Sequence, residues 1–231
     1  MINDYQIIEV SWEERFLRKR THPQSVKITT PGLLEQMKSK LYESGKDSLY
    51  SYYESIPSIL TKYTSPLSGE LDYKTPLDFM DVYYYRPGMI ACVSERVKRI
   101  LEYVKVDSAE FILFPINLKN QADLFYLLFV PMIPITRANI DFSKSEYVDN
   151  HVGTKEAVII SSAEEYLYHQ GDFKPQKIVL SSIAPKRNIY HIESCSHVFY
   201  SKKIVDCFIN EKITGAKVIP YGEICTLEIA E

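Results

Sequence analysis

Residues 88–116, GMIACVSERVKRILEYVKVDSAEFILFPI, carry the pattern that decides the fold. The apolar run 89–93 predicts a strand, and Ser94 is a suitable cap for a helix that follows it. The run 110–116 then predicts a second strand, which closes at Pro115. Between the strands, apolar residues recur at intervals of three and four, so they form one face of an amphipathic helix that packs on a sheet. That face consists of Val97, Ile100, Leu101 and Val104.

A similar order occurs near the C-terminus. Two short apolar runs, 189–192 and 197–200, predict a hairpin before Ser201, and an amphipathic helix then leads into the strand 216–221. Because both units run from a serine through a helix to a strand that closes in proline, the sequence suggests two related strand–helix–strand units. Further strands are predicted at 124–135, 156–162 and 176–182. We therefore predict an α+β fold with a mixed, mostly antiparallel sheet and amphipathic helices.

The N-terminal part has a weaker pattern. Thr30, Pro31 and Gly45 punctuate a predicted helix over residues 31–44. The tract 47–67 is rich in Ser, Tyr and Pro and has no clean period, which indicates irregular structure or a poorly ordered connection. These features predict a helical and irregular segment over 1–70, packed on an α+β domain over 71–231.

Composition excludes several classes of protein. The net charge of −3 predicts no broad basic face, and the one basic cluster lacks aromatic or glycine partners, so we expect no nucleic-acid partner. The longest apolar run has twelve residues and two prolines, well short of the roughly 20 residues of a membrane-spanning helix. The N-terminus has no leader pattern, and the four cysteines form no C-x-x-C pair. We expect a cytoplasmic protein without a membrane partner. The basic cluster comprises Arg15, Arg18, Lys19 and Arg20.

The stretch HIESCSHVFYSKKIVDC, residues 191–207, is the densest set of reactive side chains. In the predicted hairpin Ile192 faces His197, so His191 points to the opposite sheet face and the two histidines cannot share a metal ion. Cys195 with His197 is the best thiol–base pair, but a turn lies between the strands there. We predict no enzyme and no cofactor. A thiol- or metal-dependent enzyme centred on these residues and a ligand-binding module with a tyrosine-rich surface are the alternatives.

Four short motifs follow one another between residues 79 and 223. They are VSERV at the start of the first amphipathic helix described above, FP in the next strand, IDFSKSEY with Asp141 and Ser145, and ITGAKVIP near the close. Their order resembles a family of bacterial immunity proteins, the immunity-protein-eleven-like group, which is associated with polymorphic toxin and type VI secretion loci. The resemblance implies a non-catalytic protein that binds and blocks a cognate toxin.

The toxin-binding surface is predicted from residue chemistry alone. In the run DFMDVYYYRP, aromatic and arginine side chains lie beside acids, which is typical of interface anchors. In an extended chain Tyr83 and Tyr85 share one face. The alternative is that this face packs on the core. A second candidate is the tract 47–67. The predicted contact residues are Asp78, Asp81, Tyr83, Tyr85 and Arg86.

Overall fold

A computed structural model has a mixed α+β fold. It describes residues 4–11, 24–44, 49–63, 65–72, 75–82, 89–150, 156–169, 172–193 and 195–230. The strands are β1 (Tyr5–Val10), β2 (Ser25–Ile28), β3 (Leu67–Leu71), β4 (Phe79–Val82), β5 (Met89–Ser94), β6 (Ile112–Leu118), β7 (Leu124–Phe129), β8 (Met132–Ile133), β9 (Glu146–Asp149), β10 (Ala157–Val158), β11 (Phe173–Leu180), β12 (Ile189–Ile192), β13 (Val198–Ser201), β14 (Ala216–Val218) and β15 (Thr226–Ile229). The helices are α1 (Leu33–Ser44), α2 (Leu49–Leu60), α3 (Glu95–Val104), α4 (Ala163–Tyr168) and α5 (Lys202–Asn210).

Six strands close into a barrel in the order β2-β3-β6-β7-β5-β4. The pairs β3–β6 and β2–β4 are parallel and the other four are antiparallel. Helices α1 and α2 pack against each other, and their apolar faces join the barrel side chains in one core cluster. Closure leaves none of these six strands with an unpaired edge along the barrel wall.

Two further sheets lie in the described part of the chain. One has the order β14-β1-β13-β12-β8 and the other β10-β9-β11-β15. A second core cluster, rich in Tyr, Phe and Ile, joins side chains from both sheets and includes Tyr166 of α4. Burial of this cluster holds the two sheets together.

The two predicted strand–helix–strand units are present, as β5-α3-β6 and β13-α5-β14. In each unit the two strands flank one antiparallel strand, which is β7 in the first and β1 in the second. Helices α3 and α5 pack against each other, and Ile100, Leu101, Ile204 and Phe208 belong to a third core cluster. The first unit is completed by its own next strand, whereas the second is completed by the N-terminal strand of the chain.

The N-terminal residues take a larger part in the fold than the sequence predicts. The predicted segment 1–70 contains β1 and β2, and the boundary at residue 70 falls within β3. Because all three strands pair with strands from later in the chain, β2 and β3 are integral to the barrel and β1 is integral to the five-stranded sheet. The tract 47–67, predicted to be irregular, contains α2, whose buried residues Tyr52, Ile56 and Ile59 follow a helical spacing.

None of the helices in the described part of the chain is long and apolar enough to cross a membrane.

Candidate functional site

The histidines and cysteines of residues 191–207 point to different places. His191 pairs with Val198 across β12 and β13, which is the predicted register, and its buried ring contacts Tyr53 edge-on at 5.3 Å between centroids. The His197 ring instead lies on the other face, with Nδ1 2.8 Å from a carboxylate oxygen of Glu9. Within the described residues, no three His, Cys, Asp or Glu side chains come together to hold a metal ion.

Cys195 is a buried free cysteine and belongs to the same core cluster as a second one, Cys225. Hydrogen bonds from the Cys225 thiol and from the backbone N–H of His197 lower the pKa of Cys195, because they stabilise the thiolate more than the thiol. The contact with His197 is therefore through its backbone, while its ring is engaged by Glu9. This arrangement does not supply the base that a thiol hydrolase mechanism requires.

Asp78, predicted to contact a partner, lies inside the protein with 8% of its surface exposed. Its Oδ1 accepts a hydrogen bond from the Ser94 hydroxyl at 2.8 Å, and its Oδ2 accepts one from Arg96 Nη1 at 2.8 Å. Oδ2 also accepts from the backbone N and the hydroxyl of Thr214, at 3.0 and 2.8 Å. The carboxylate joins the start of β4, the start of α3 and the loop after α5. Its burial argues against a direct contact role.

A second buried carboxylate, that of Glu110, holds the start of β12. Glu110 is 5% exposed and lies in the loop after α3. Its Oε2 accepts hydrogen bonds from the backbone N of Asn188 at 2.6 Å and of Ile189 at 2.9 Å, at the start of β12. The loop after each helix therefore holds the strand that pairs with the first strand of the opposite unit, which is β4 beside β5 and β12 beside β13.

The motif IDFSKSEY, residues 140–147, forms a hydrogen-bonded turn. The Asp141 carboxylate accepts hydrogen bonds from the backbone N and the hydroxyl of Ser143, at 3.1 and 2.6 Å. The Ser145 hydroxyl donates to the Asp141 carbonyl oxygen and accepts from the Val179 N–H, at 2.8 and 3.0 Å. The motif thus joins the segment before β9 to β11. Its hydroxyls and carboxylate bind within the fold.

A depression of about 260 Å³ lies beside this motif. It is lined by residues of the segment 137–143 together with Ser161 and Ser181. Ile159 and Ile183 are 86% and 77% exposed, and each is two residues from a lining serine, so both Cα atoms lie within about 7 Å of it. Tyr168 at the end of α4 is 85% exposed. Leu167, also in α4, is 41% exposed. We use the name α4 surface for the exposed apolar side chains of α4 and of the segments next to the depression: Ile159, Leu167, Tyr168 and Ile183.

Sequence reasoning did not find the α4 surface. Ile159 belongs to the run EAVIISS, in which an apolar residue indicates a buried strand, but β10 ends at Val158. Its exposure depends on where the strand stops, which the sequence pattern does not define.

Of the other predicted contact residues, the structure describes Asp81, which lies in β4. Asp81 is partly exposed, and its Oδ1 accepts a hydrogen bond from the Val82 N–H at 3.0 Å. Tyr83, Tyr85 and Arg86 lie outside the described residues.

Comparison with known proteins gives no family. No family model matches the chain, and no curated protein is significantly similar to it.

Proposed function

We propose that the protein is a cytoplasmic immunity protein that binds and neutralises a cognate bacterial toxin of the polymorphic toxin or type VI secretion kind. The observation that carries this proposal is the meeting of two motifs of the resemblance. VSERV supplies Ser94 and Arg96, and ITGAKVIP supplies Thr214, to the hydrogen-bond network around Asp78. Motifs more than a hundred residues apart thus act as one structural unit, which supports their interpretation as a family framework.

The exposed side chains support a binding role. Large apolar side chains are costly to leave in water, and a group of them near an arginine is typical of interface anchors. The α4 surface has this character, because Ile159 and Ile183 are exposed and each lies two residues from a serine of the depression that Arg137 lines. We propose the α4 surface as one contact area for the toxin and the segment from Asp81 to Arg86 as the other.

Coexpression tests the function directly. The chain is produced together with the toxin-domain protein encoded beside its gene, and growth and complex formation are measured. We expect growth to be restored and a complex of fixed stoichiometry to be isolated. If the toxin kills equally with and without the chain, and the two proteins do not co-purify, the proposal is wrong.

Two pairs of variants separate the contact areas. Ile159→Asp with Ile183→Asp places charge on the α4 surface, and Tyr83→Ala with Tyr85→Ala removes the aromatic anchors. Tyr103→Asp, an exposed position on α3, is the matched control and keeps full protection. A contact area is identified when its pair weakens toxin binding at least tenfold while the thermal unfolding midpoint is unchanged. If neither pair weakens binding, both surface assignments are wrong although the function stands.

A further inference from the structure

The strand β10 forms one end of the four-stranded sheet. On one side it pairs antiparallel with β9, where Val158 lies opposite Tyr147. Directly before this strand, the Asp149 amide donates a hydrogen bond to the Glu156 carbonyl oxygen at 3.0 Å. Within the described residues, no strand pairs with the other side of β10. The four-stranded sheet therefore ends in an open edge at this strand.

The backbone of Ala157 faces the open side of this edge. In an antiparallel ladder, alternate residues direct both of their backbone polar groups to the same neighbour. Because Glu156 accepts from β9, Ala157 directs its N–H and C=O away from β9. Val158 and Ile160 contribute to the core, whereas Ile159 is 86% exposed, so the extended alternation continues beyond β10. Ala157 and Ile159 thus present main-chain donors and acceptors to the open side.

An apolar side chain and a positive charge accompany this edge. Ile159 is exposed, and Ser161, two residues later, lines the depression of about 260 Å³. In the same depression the Asp141 carboxylate pairs with Lys144 at 3.6 Å, whereas Arg137 forms no salt bridge with any carboxylate of the described residues. The edge therefore offers unpaired backbone groups, an apolar contact and an arginine. An extended peptide with apolar and acidic side chains complements all three.

We propose that an extended segment of the toxin adds to β10 as a further strand of the four-stranded sheet. Its backbone pairs with Ala157 and Ile159, an apolar side chain packs against Ile159, and an acidic side chain pairs with Arg137. In this mode of recognition main-chain hydrogen bonds supply affinity, and alternate side chains supply specificity. The inference rests on the proposed function and specifies how the toxin binds beside the α4 surface.

Amide hydrogen exchange tests the proposal on the unaltered chain. The chain is measured alone and in complex with the toxin-domain protein encoded beside its gene. We expect the amides of Ala157 and Ile159 to exchange at least about tenfold more slowly in the complex, because they then donate to the added strand. The Val218 amide is the matched control. It faces the open edge of β14, since the next amide, that of Ile219, donates to Ile7 of β1, and its rate should not change.

Two substitutions at one position separate backbone pairing from side-chain contact. Ala157→Pro removes the outward N–H, whereas Ala157→Val adds a side chain of similar size and keeps it. Proline is tolerated on edge strands where the N–H faces solvent, so both variants should unfold at the wild-type temperature. We expect Ala157→Pro to weaken toxin binding about tenfold, and Ala157→Val to bind within about twofold of the wild type.

The outcomes distinguish this inference from the proposed function. If the complex forms but neither amide slows, or if Ala157→Pro binds as tightly as Ala157→Val, the toxin does not add to β10 although the protein still acts by binding. If no complex forms and the toxin kills equally with and without the chain, both are wrong. Slower exchange of the same amides in the chain alone, as its concentration rises, assigns the edge to a second copy of the chain and overturns the proposal. If Ala157→Pro unfolds at a lower temperature, the exchange rates of the wild-type complex decide.

Discussion

At the start of β4 the Phe79 amide donates to the backbone oxygen of Thr214 at 3.0 Å, whereas at the start of β12 the Ile189 amide donates to the Glu110 carboxylate at 2.9 Å. Both loops follow the helix of the opposite unit. Counting back five residues from Pro115 and Pro220 places Glu110 and Gly215 at the same point of their units. The first amide of each strand therefore has an acceptor of a different kind. For β4 it is a backbone oxygen, and for β12 it is a buried carboxylate.

A second pair of positions differs in charge. Asp78 directly precedes β4 and Asn188 directly precedes β12, the strands that pair with the first strands of the two units. The backbone oxygen of each accepts from a serine amide, that of Ser94 at 2.9 Å and that of Ser201 at 2.7 Å. The side chains also accept from the serine hydroxyls, at 2.8 and 3.3 Å. Only Asp78 brings a charge, and Arg96 pairs with it. We call the contact of the loop after α5 with the start of β4 the first junction, and the contact of the loop after α3 with the start of β12 the second junction. The two junctions have similar backbone hydrogen bonds but depend on different side chains.

The largest effect is expected at Gly215, where the main chains approach most closely. Its φ is +83°, and a Cβ there would lie 2.1 Å from the Phe79 carbonyl oxygen. Gly215→Ala should therefore lower the free energy of unfolding by about 4 kcal/mol, from backbone strain and overpacking together. Gly222→Ala is the matched control, since its φ is +82° and its Cβ meets nothing within 4 Å. Urea denaturation should show a loss of only about 1 kcal/mol there. Equal losses of stability in the two variants would show that the close approach to Phe79 does not contribute to the cost of the Gly215 substitution.

Removing the charged side chain of Asp78 should lower the free energy of unfolding more than removing the uncharged side chain of Asn188. Asp78→Ala leaves the donors of Thr214 and Arg96 without their acceptor, and we expect a loss of about 3 kcal/mol in the free energy of unfolding. Asn188→Ala removes one long hydrogen bond from Ser201 and should cost about 0.5 kcal/mol. Urea denaturation of both variants measures the difference. A larger loss at Asn188 would reverse the comparison.

The carboxylate of the second junction should act locally. Glu110→Ala leaves two backbone N–H groups without an acceptor, and we expect a loss of about 2 kcal/mol. Asp107→Ala is the control, because its exposed carboxylate accepts from Ala109 in the same loop and its loss should stay within about 0.5 kcal/mol. Hydrogen exchange distinguishes the junctions: the Ile189 amide should exchange faster in Glu110→Ala while the Phe79 amide does not. Faster exchange at both amides would mean that the junctions are coupled.

Local pattern predicted the parts of the fold that depend on neighbouring residues. The hairpin register at His191 and Val198 and the helix after Ser94 follow from periodicity and turn position, and both are confirmed. The strand that completes the second unit could not be predicted, because β1 lies about 190 residues before β13 and no local signal records that pairing. Barrel closure by β2 and β3 depends on long-range pairing in the same way.

The candidate site was harder to predict than the fold. The sequence around Asp78 is typical of an exposed interface, since tyrosines and an arginine follow this residue. Its partner Thr214 is 136 residues away, so only the folded chain shows that the carboxylate is used internally. For Ile159 the error is the reverse: its apolar run predicts burial, but the side chain is exposed. Which side chains face solvent is a tertiary property, and residue type alone does not define it.

The smallest expected effect is that of pH on the stability contributed by His191. This residue is the third after Asn188, as Asp81 is the third after Asp78. Asp81 is partly exposed, whereas His191 is buried with Nδ1 3.2 Å from the Val130 carbonyl oxygen, and burial lowers its pKa. Below pH about 6.5 the unfolded chain takes up a proton at this histidine while the folded chain does not, so stability falls as the pH falls towards the lower folded-state pKa.

Between pH 7 and pH 5.5 this difference should cost the wild type about 1 kcal/mol more than it costs His191→Gln, which keeps a hydrogen-bond donor but cannot titrate. Urea denaturation of both proteins at the two pH values measures the difference. If the two proteins lose stability equally on acidification, His191 takes up its proton in the folded protein as readily as in the unfolded chain. The packing of Tyr53 against His191 would then not keep the imidazole ring neutral. In that case β12 and β4 would not differ in their sensitivity to acid at this position.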